Sequence, residues 1–301
     1  MIYFLAEERE MILVKTTFTY KRNEHCEIKG DFYPTDKTNA PLIIYIHGGG
    51  LIWGTRADVH EAQIALYHKH GFHFCSIDYR LAPESKISDI TSDIEDALVW
   101  FKEEGKEIFD YDPERIAVIG SSAGGYLALL AGTLHVKPKA IVSCYGYGNI
   151  LGDWYTKPSP HFTSMTTVPK MLADQLIQPS PISQAPIERR YAIYLYCRQQ
   201  GAWLDYVANW DPLVEVEKLR SFCPIEIADA NFPATLLLHG DKDEDVPYEE
   251  SVKMHEKIIQ QGGHSQLITI PNGKHTFDQN MEDPLVEEAF EQVIAFLKAN
   301  V

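Results

Sequence analysis

"RIAVIGSSAGGYLALLAGTL", residues 115–134, is the stretch on which the reading of this chain turns. Its first half, "RIAVIG", is a short apolar run of the kind expected in a strand buried on both faces. Its second half, "SAGGYLALLAGTL", reads as a helix. Between them, two serines and three glycines fall within residues 120–125. A strand that turns at once into a helix is the unit from which parallel sheets with helices on both faces are built.

The same alternation extends in both directions. "PLIIYIHGGG" (41–50) and "FHFCSIDYR" (72–80) read as buried strands upstream. "AIVSCYG" (140–146) reads as a buried strand downstream, and "ATLLLHG" (234–240) and "SQLITIPNG" (265–273) read as further strands. Helical spacing marks residues 57–70, "SDIEDALVWFKEEG" (92–105), "YEESVKMHEKIIQQGG" (248–263) and "DPLVEEAFEQVIAFLKAN" (283–300). "MILVKTTFTYK" (11–21) and "CEIKGDFYPT" (26–35), joined by "RNEH", read as two β segments that add an antiparallel edge. The interval from Gly146 to Phe232 holds no strand–helix unit. A structureless loop of that length is improbable in a folded domain. Residues 147–232 are therefore expected to form a mostly helical cap over a core made of 1–146 and 233–301. The cap's aromatics include Trp154, Tyr155, Tyr191, Tyr194, Tyr196, Trp203, Tyr206 and Trp210, and most are expected to pack it down. Some are expected to line a ligand pocket.

Composition narrows the functional classes. The 301 residues carry a formal net charge of −16, with a pI of about 5.1. That balance argues against a nucleic-acid partner, which calls for a basic patch. It also argues mildly against strongly anionic substrates. Five cysteines, Cys26, Cys75, Cys144, Cys197 and Cys223, form no CxxC pair. A disulfide framework is not expected, and neither is a metal site or a cofactor. The opening "MIYFLAEERE" lacks a basic segment and a long apolar run, so it reads as no leader peptide. No run is long and apolar enough for a membrane span. A cytoplasmic location is expected, and Met11 is an alternative start to Met1.

The glycine-rich turns carry the candidate chemistry. Ligands of open parallel sheets bind at the carboxyl ends of strands. Gly120-Ser121-Ser122-Ala123-Gly124 lies at such an end and fits G-x-S-x-G, in which the central serine stands on a sharp strand-to-helix turn. Ser122 is the candidate nucleophile, with Ser121 as its structural neighbour. A hydroxyl nucleophile needs a base and donors for the developing oxyanion. His47-Gly48-Gly49-Gly50 ends another strand, and its glycines suit a backbone that must approach a reacting oxygen. The N–H of Ala123, after the serine, is a further donor. Among the twelve histidines, His275 follows the last strand in "PNGKHTF" and is the candidate base. "HGDKDEDVPY" offers Asp241, Asp243, Glu244 and Asp245 as the acid. Asp243, in mid-loop, is best placed to reach His275, whereas Asp245 is read as helping to open the next helix.

Together these motifs resemble the α/β-hydrolase superfamily, and within it the hormone-sensitive-lipase-like esterases with an HGGG loop. The resemblance rests on "HGGG" (47–50), "DYRLAPE" (78–84), the turn at 120–124, "HGDKDEDVP" (239–247) and "GKHTF" (273–277). It spans roughly residues 40–300. It implies the α/β-hydrolase fold, with Ser122 as nucleophile, Asp243 as acid and His275 as base, in that family's chain order. It implies Gly49, Gly50 and Ala123 as oxyanion-hole donors, and Asp78 and Arg80 as supports behind the site. The implied activity is hydrolysis of small-molecule carboxyl esters of short to medium acyl chain, with a homodimer allowed by the fold.

The sequence departs from the group's pattern in two places. The N-terminal segment before His47 is short and β-like, and Ser85 stands where the family often has histidine. The 239–247 stretch is also similar to prolyl-oligopeptidase-like enzymes, and Trp53 after HGGG is similar to formamidase-like members. An amide or peptide hydrolase is therefore the nearest alternative, and a non-catalytic binding protein on the same fold a more distant one.

Overall fold

A computed structural model describes residues 14–211 and 213–301. The readings made on residues 1–10, the choice of start at Met1 or Met11, and the opening of the first β segment lie outside them.

Eight strands among the described residues form one sheet in the order β1-β2-β4-β3-β5-β6-β7-β8. They are β1 (Thr16–Arg22), β2 (Glu27–Tyr33), β3 (Ala40–Ile46), β4 (His73–Ile77), β5 (Tyr111–Ser121), β6 (Ala140–Cys144), β7 (Ala234–Gly240) and β8 (Ser265–Ile270). β1 and β2 pair antiparallel, and β2 runs antiparallel to β4. All pairs from β4 through β3 to β8 are parallel. The expected antiparallel edge on a parallel sheet is present.

Burial explains the strand sequences. β4 and β6 are buried at every position, which requires apolar side chains on both faces. Successive residues serve opposite cores, because strand side chains alternate faces. Ile44 and Val118 join one apolar cluster, while Ile43 and Ala117 join the other. α1 (Glu61–Lys69) and α12 (Pro284–Asn300) contribute to the second cluster; α2 (Ile87–Glu103) and α3 (Ala123–Ala131) contribute to the first. α1 begins later than the expected residue 57. The Asp58 carboxylate instead accepts from the Thr55 N–H at 2.8 Å and closes a turn. His60 then caps the helix by accepting from the Ala62 N–H.

Between β6 and β7 the named elements among the described residues are all helices: α4 (Asp153–Thr156), α5 (Pro160–Thr163), α6 (Lys170–Gln175), α7 (Ile187–Gln200), α8 (Trp203–Val207), α9 (Val216–Arg220) and α10 (Pro224–Ile227). α11 (Tyr248–Gln260) follows β7. Most aromatics of this segment pack, as expected. Tyr155 stacks on Trp203 with centroids 4.1 Å apart, and both are buried. The segment is bolted down by α7. Arg190 donates to the Ile52 carbonyl at 2.7 Å and to both carboxylate oxygens of Glu84 at 2.7 Å. Both side chains of that pair are buried.

All five cysteines are free. No helix among the described residues is long and apolar enough to cross a membrane.

Candidate active site

Ser122 stands between β5 and α3 with φ 57° and ψ −119°. A non-glycine residue pays of order 1–3 kcal/mol for such a conformation. The neighbours hold it there. A Cβ at Gly124 would overlap the backbone carbonyls of Ile46 and His47, and one at Gly120 would overlap the carbonyl of Gly124. Only glycine lets the turn close against β3. The Ser122 N–H donates to the Cys144 carbonyl at 2.9 Å, which ties the turn to β6.

Three strand ends converge on this serine. His275, in the loop after β8, places Nε2 3.1 Å from Ser122 Oγ. Its Nδ1 lies 2.7 Å from Asp243 Oδ2, in the loop after β7. The Asp243 side chain is fully buried. Its Oδ1 accepts from the N–H groups of Asp245 and Val246 at 2.8 and 2.9 Å, which fixes the carboxylate. Burial works against its charge, but the bonds to His239 and His275 outweigh this and hold its pKa well below the usual carboxylate range. For His275, burial favours the neutral ring. The negative charge of Asp245 and the bond to Asp243 outweigh it, so its pKa lies above the ordinary value of 6.5. His275 thus lies within hydrogen-bond reach of both Ser122 and Asp243, an arrangement that can relay a proton from a hydroxyl to a base held by a third group.

The glycine loop after β3 borders the same cavity. Gly49 has φ 99°, and a Cβ there would overlap the Trp53 carbonyl. The Gly49 carbonyl accepts from the N–H groups of Ile52 and Trp53, and the Gly50 carbonyl accepts from Trp203 Nε1 at 3.0 Å. The carbonyls are thus turned into the protein. Among the described residues, no backbone carbonyl accepts from the N–H of Gly49, Gly50 or Ala123. His47, at the head of the loop, is fully buried and stacks on Tyr79 with centroids 4.3 Å apart. Burial lowers its pKa, which keeps the ring neutral.

Several residues at the site were not singled out by the sequence reading. His239 Nε2 lies 3.2 Å from Asp243 Oδ2, and its Nδ1 lies 2.7 Å from Ser251 Oγ. It read as a strand end, and its only signal was the four-residue spacing to Asp243. Asp278 is buried behind His275. It accepts from Tyr145 Oη at 2.5 Å, Gln63 Nε2 at 3.0 Å and Ser121 Oγ at 3.3 Å. The Tyr145 ring meets His275 edge-on with centroids 4.7 Å apart. Ser121 is thus tied to the histidine loop as well as to the turn.

Two expectations need correcting. Asp245 does not cap α11, whose N-cap is Pro247. Its carboxylate is held by Arg198 of α7 and by Tyr194 Oη, the latter at 2.6 Å. Arg80 does not support the site. It pairs with Asp93 and Asp89 and so fastens the end of β4 to α2. Asp78 instead accepts from the Arg56 N–H and guanidinium, at 2.8 and 2.5 Å, below the glycine loop.

The cavity in front of Ser122 has a volume of about 190 Å³. Trp53, Ile187, Tyr194, Asp58, Asp245 and Gln279 contribute to its walls. Tyr194 is thus an aromatic of the helical segment that reaches the cavity.

The chain is similar to several known proteins. A family model described as BD-FAE matches residues 31–184. A model of the prolyl oligopeptidase family matches residues 182–301. Among curated proteins, the chain is 28% identical to the non-reducing polyketide synthase ausA of Emericella nidulans over 95% of its own length. It is 27% identical to the non-reducing polyketide synthase prhL of Penicillium brasilianum, again over 95% of its length. In both cases the chain spans only 14% of the relative.

Among solved structures, an α/β-hydrolase superfamily protein from Enterococcus faecalis is similar, with TM-score 0.74 and 24% identity over 95% of this chain and 99% of that one. An acetyl ester-xyloside bifunctional hydrolase from Caldicellulosiruptor lactoaceticus is similar, with TM-score 0.70 and 19% identity over 97% and 98%. An esterase from Pyrobaculum calidifontis is similar, with TM-score 0.69 and 22% identity over 95% and 84%. The fold is the α/β-hydrolase fold.

Proposed function

Because the chain belongs to the BD-FAE family, as a serine hydrolase of the α/β-hydrolase superfamily, we propose that it cleaves carboxyl esters of short to medium acyl chain through an acyl-enzyme. The observation that carries this reading is the relay from Asp243 through His275 to Ser122 at the floor of a cavity bordered by Gly49 and Gly50. The resemblance to hormone-sensitive-lipase-like esterases through the HGGG loop supports it.

In this mechanism His275 takes the Ser122 proton as Oγ attacks the ester carbonyl. The carbonyl oxygen gains negative charge and is met by the N–H groups of Gly49, Gly50 and Ala123, which need no reorganisation at that moment. His275 then protonates the leaving alcohol, and the acyl group stays on Oγ. Water, deprotonated by the same ring, cleaves the acyl-enzyme. Asp243 orients the ring and stabilises its cation. Residues 147–232 serve as the cap that bounds the acyl and alcohol sites.

The test is hydrolysis of p-nitrophenyl esters from acetate to laurate by the wild type and Ser122→Ala. The reading expects activity that peaks at short chains and falls by several orders of magnitude in the variant. Activity of the variant above a few per cent would overturn it.

A second reading is amide or peptide hydrolysis by the same residues, favoured by the prolyl oligopeptidase match over residues 182–301. Matched p-nitrophenyl esters and p-nitroanilides separate the two. Amide cleavage as fast as ester cleavage would favour the second.

A further inference from the structure

The Asp245 carboxylate is asymmetric. Arg198 Nη1 and Tyr194 Oη both donate to Oδ1, and Arg198 Nη2 donates to the Asp245 carbonyl at 2.9 Å. The arginine is only 2% exposed, and its guanidinium lies 4.6–5.5 Å from the ring centroids of Phe162, Tyr155, Trp154 and Tyr194. It is a rigid clamp. Among the described residues, none donates a hydrogen bond to Oδ2. His275 Nε2 lies 3.8 Å from it. Asp245 borders the cavity, and its side chain is 20% exposed. A fixed acceptor is thus left open beside the nitrogen that hands a proton to the leaving alcohol. Among the described residues, no lysine or arginine borders the cavity to compete for it.

We propose that Asp245 is a specificity-determining residue: its Oδ2 accepts a hydrogen bond from a hydroxyl on the alcohol half of the ester, next to the scissile oxygen. The inference deepens the esterase reading and rests on it. A hydrogen bond to a charged acceptor is stronger than one to a neutral acceptor. A site built to pair a substrate hydroxyl discriminates against the isostere that lacks it. Arg198 carries the charge balance, so a neutral hydroxyl satisfies Oδ2 without bringing a further charge into the cavity.

The test compares 2-hydroxyethyl butyrate with propyl butyrate, in which a methyl replaces the hydroxyl. Hydrolysis by the wild type, Asp245→Ala and Asp245→Asn is followed by acid release. The wild type is expected to favour the hydroxylated ester by about tenfold in kcat/KM. Asp245→Ala is expected to bring the ratio to about one. Asp245→Asn, closer in shape should the alanine variant fail to fold, is expected to bring it to about threefold or less, since a neutral amide makes the weaker bond. A role of Asp245 confined to the charge on His275 would change both esters alike and leave the ratio untouched. A wild-type ratio near one, or a ratio unchanged in both variants, would overturn the proposal and leave the esterase reading standing. Hydrolysis of neither butyrate and of no p-nitrophenyl ester would remove both.

Discussion

His275 can accept a proton only while its ring is neutral. Its pKa lies above the ordinary 6.5, with the charge of Asp245 the leading cause acting against burial. The sign follows: as pH falls through that raised value the ring becomes cationic and the base is lost. The acidic limb of kcat/KM is therefore expected to have its midpoint above pH 6.5. Asp245→Asn removes the charge, so the limb should move to lower pH. A pH–rate profile of both proteins on one p-nitrophenyl ester checks this, and a limb that stays in place would contradict it. At this scale Ser122, Asp243 and His275 were legible because each follows the end of an apolar run, and runs are what a sequence displays best. Asp245 was not. Its partner Arg198 lies 47 positions away in another element, and no local pattern announces that pairing. Asp278 was hidden for the same reason: its donors come from Gln63, Ser121 and Tyr145.

The elements around the site divide the work. Strand ends supply the reacting groups, and α7 presses the helical segment onto two loops. Arg190, Tyr194 and Arg198 recur every four residues on α7, so they share a face. Arg190 meets the Ile52 carbonyl and Glu84, whereas Tyr194 and Arg198 meet Asp245. Breaking a buried ion pair on one side leaves the other charge without compensation. Arg190→Met is therefore expected to cost about 3–5 kcal/mol, read as a lower urea midpoint at unchanged slope. A loss below about 1 kcal/mol would mean that Glu84 finds water or another donor. The strands were legible as apolar runs and the long helices by their spacing. Helix starts were less so, because α1 waits on the Asp58 turn and α2 begins at Ile87, five residues before the helical pattern of residues 92–105. The short helices between β6 and β7 are four to six residues long, apart from α7. That is too short for a helical period to show, and packing decides them instead.

The whole molecule carries a formal charge of −16, and Asp58 and Asp245 border the cavity. An anionic ester should meet repulsion on approach, which salt screens. For a butyrate ester with a carboxylate on its alcohol half, kcat/KM is expected to rise with ionic strength, while a neutral ester of equal size stays flat. A fall with salt would point to a cationic patch that the net charge conceals. The central claim concerns one atom, Ser122 Oγ, activated by His275 and aimed into the cavity. It is tested most directly by treating the folded protein with a fluorophosphonate probe and mapping the adduct by peptide mass spectrometry. One adduct per chain, on Ser122 and absent from Ser122→Ala, is the expected result. A folded protein that takes up no probe, or takes it up on another residue, would contradict the account.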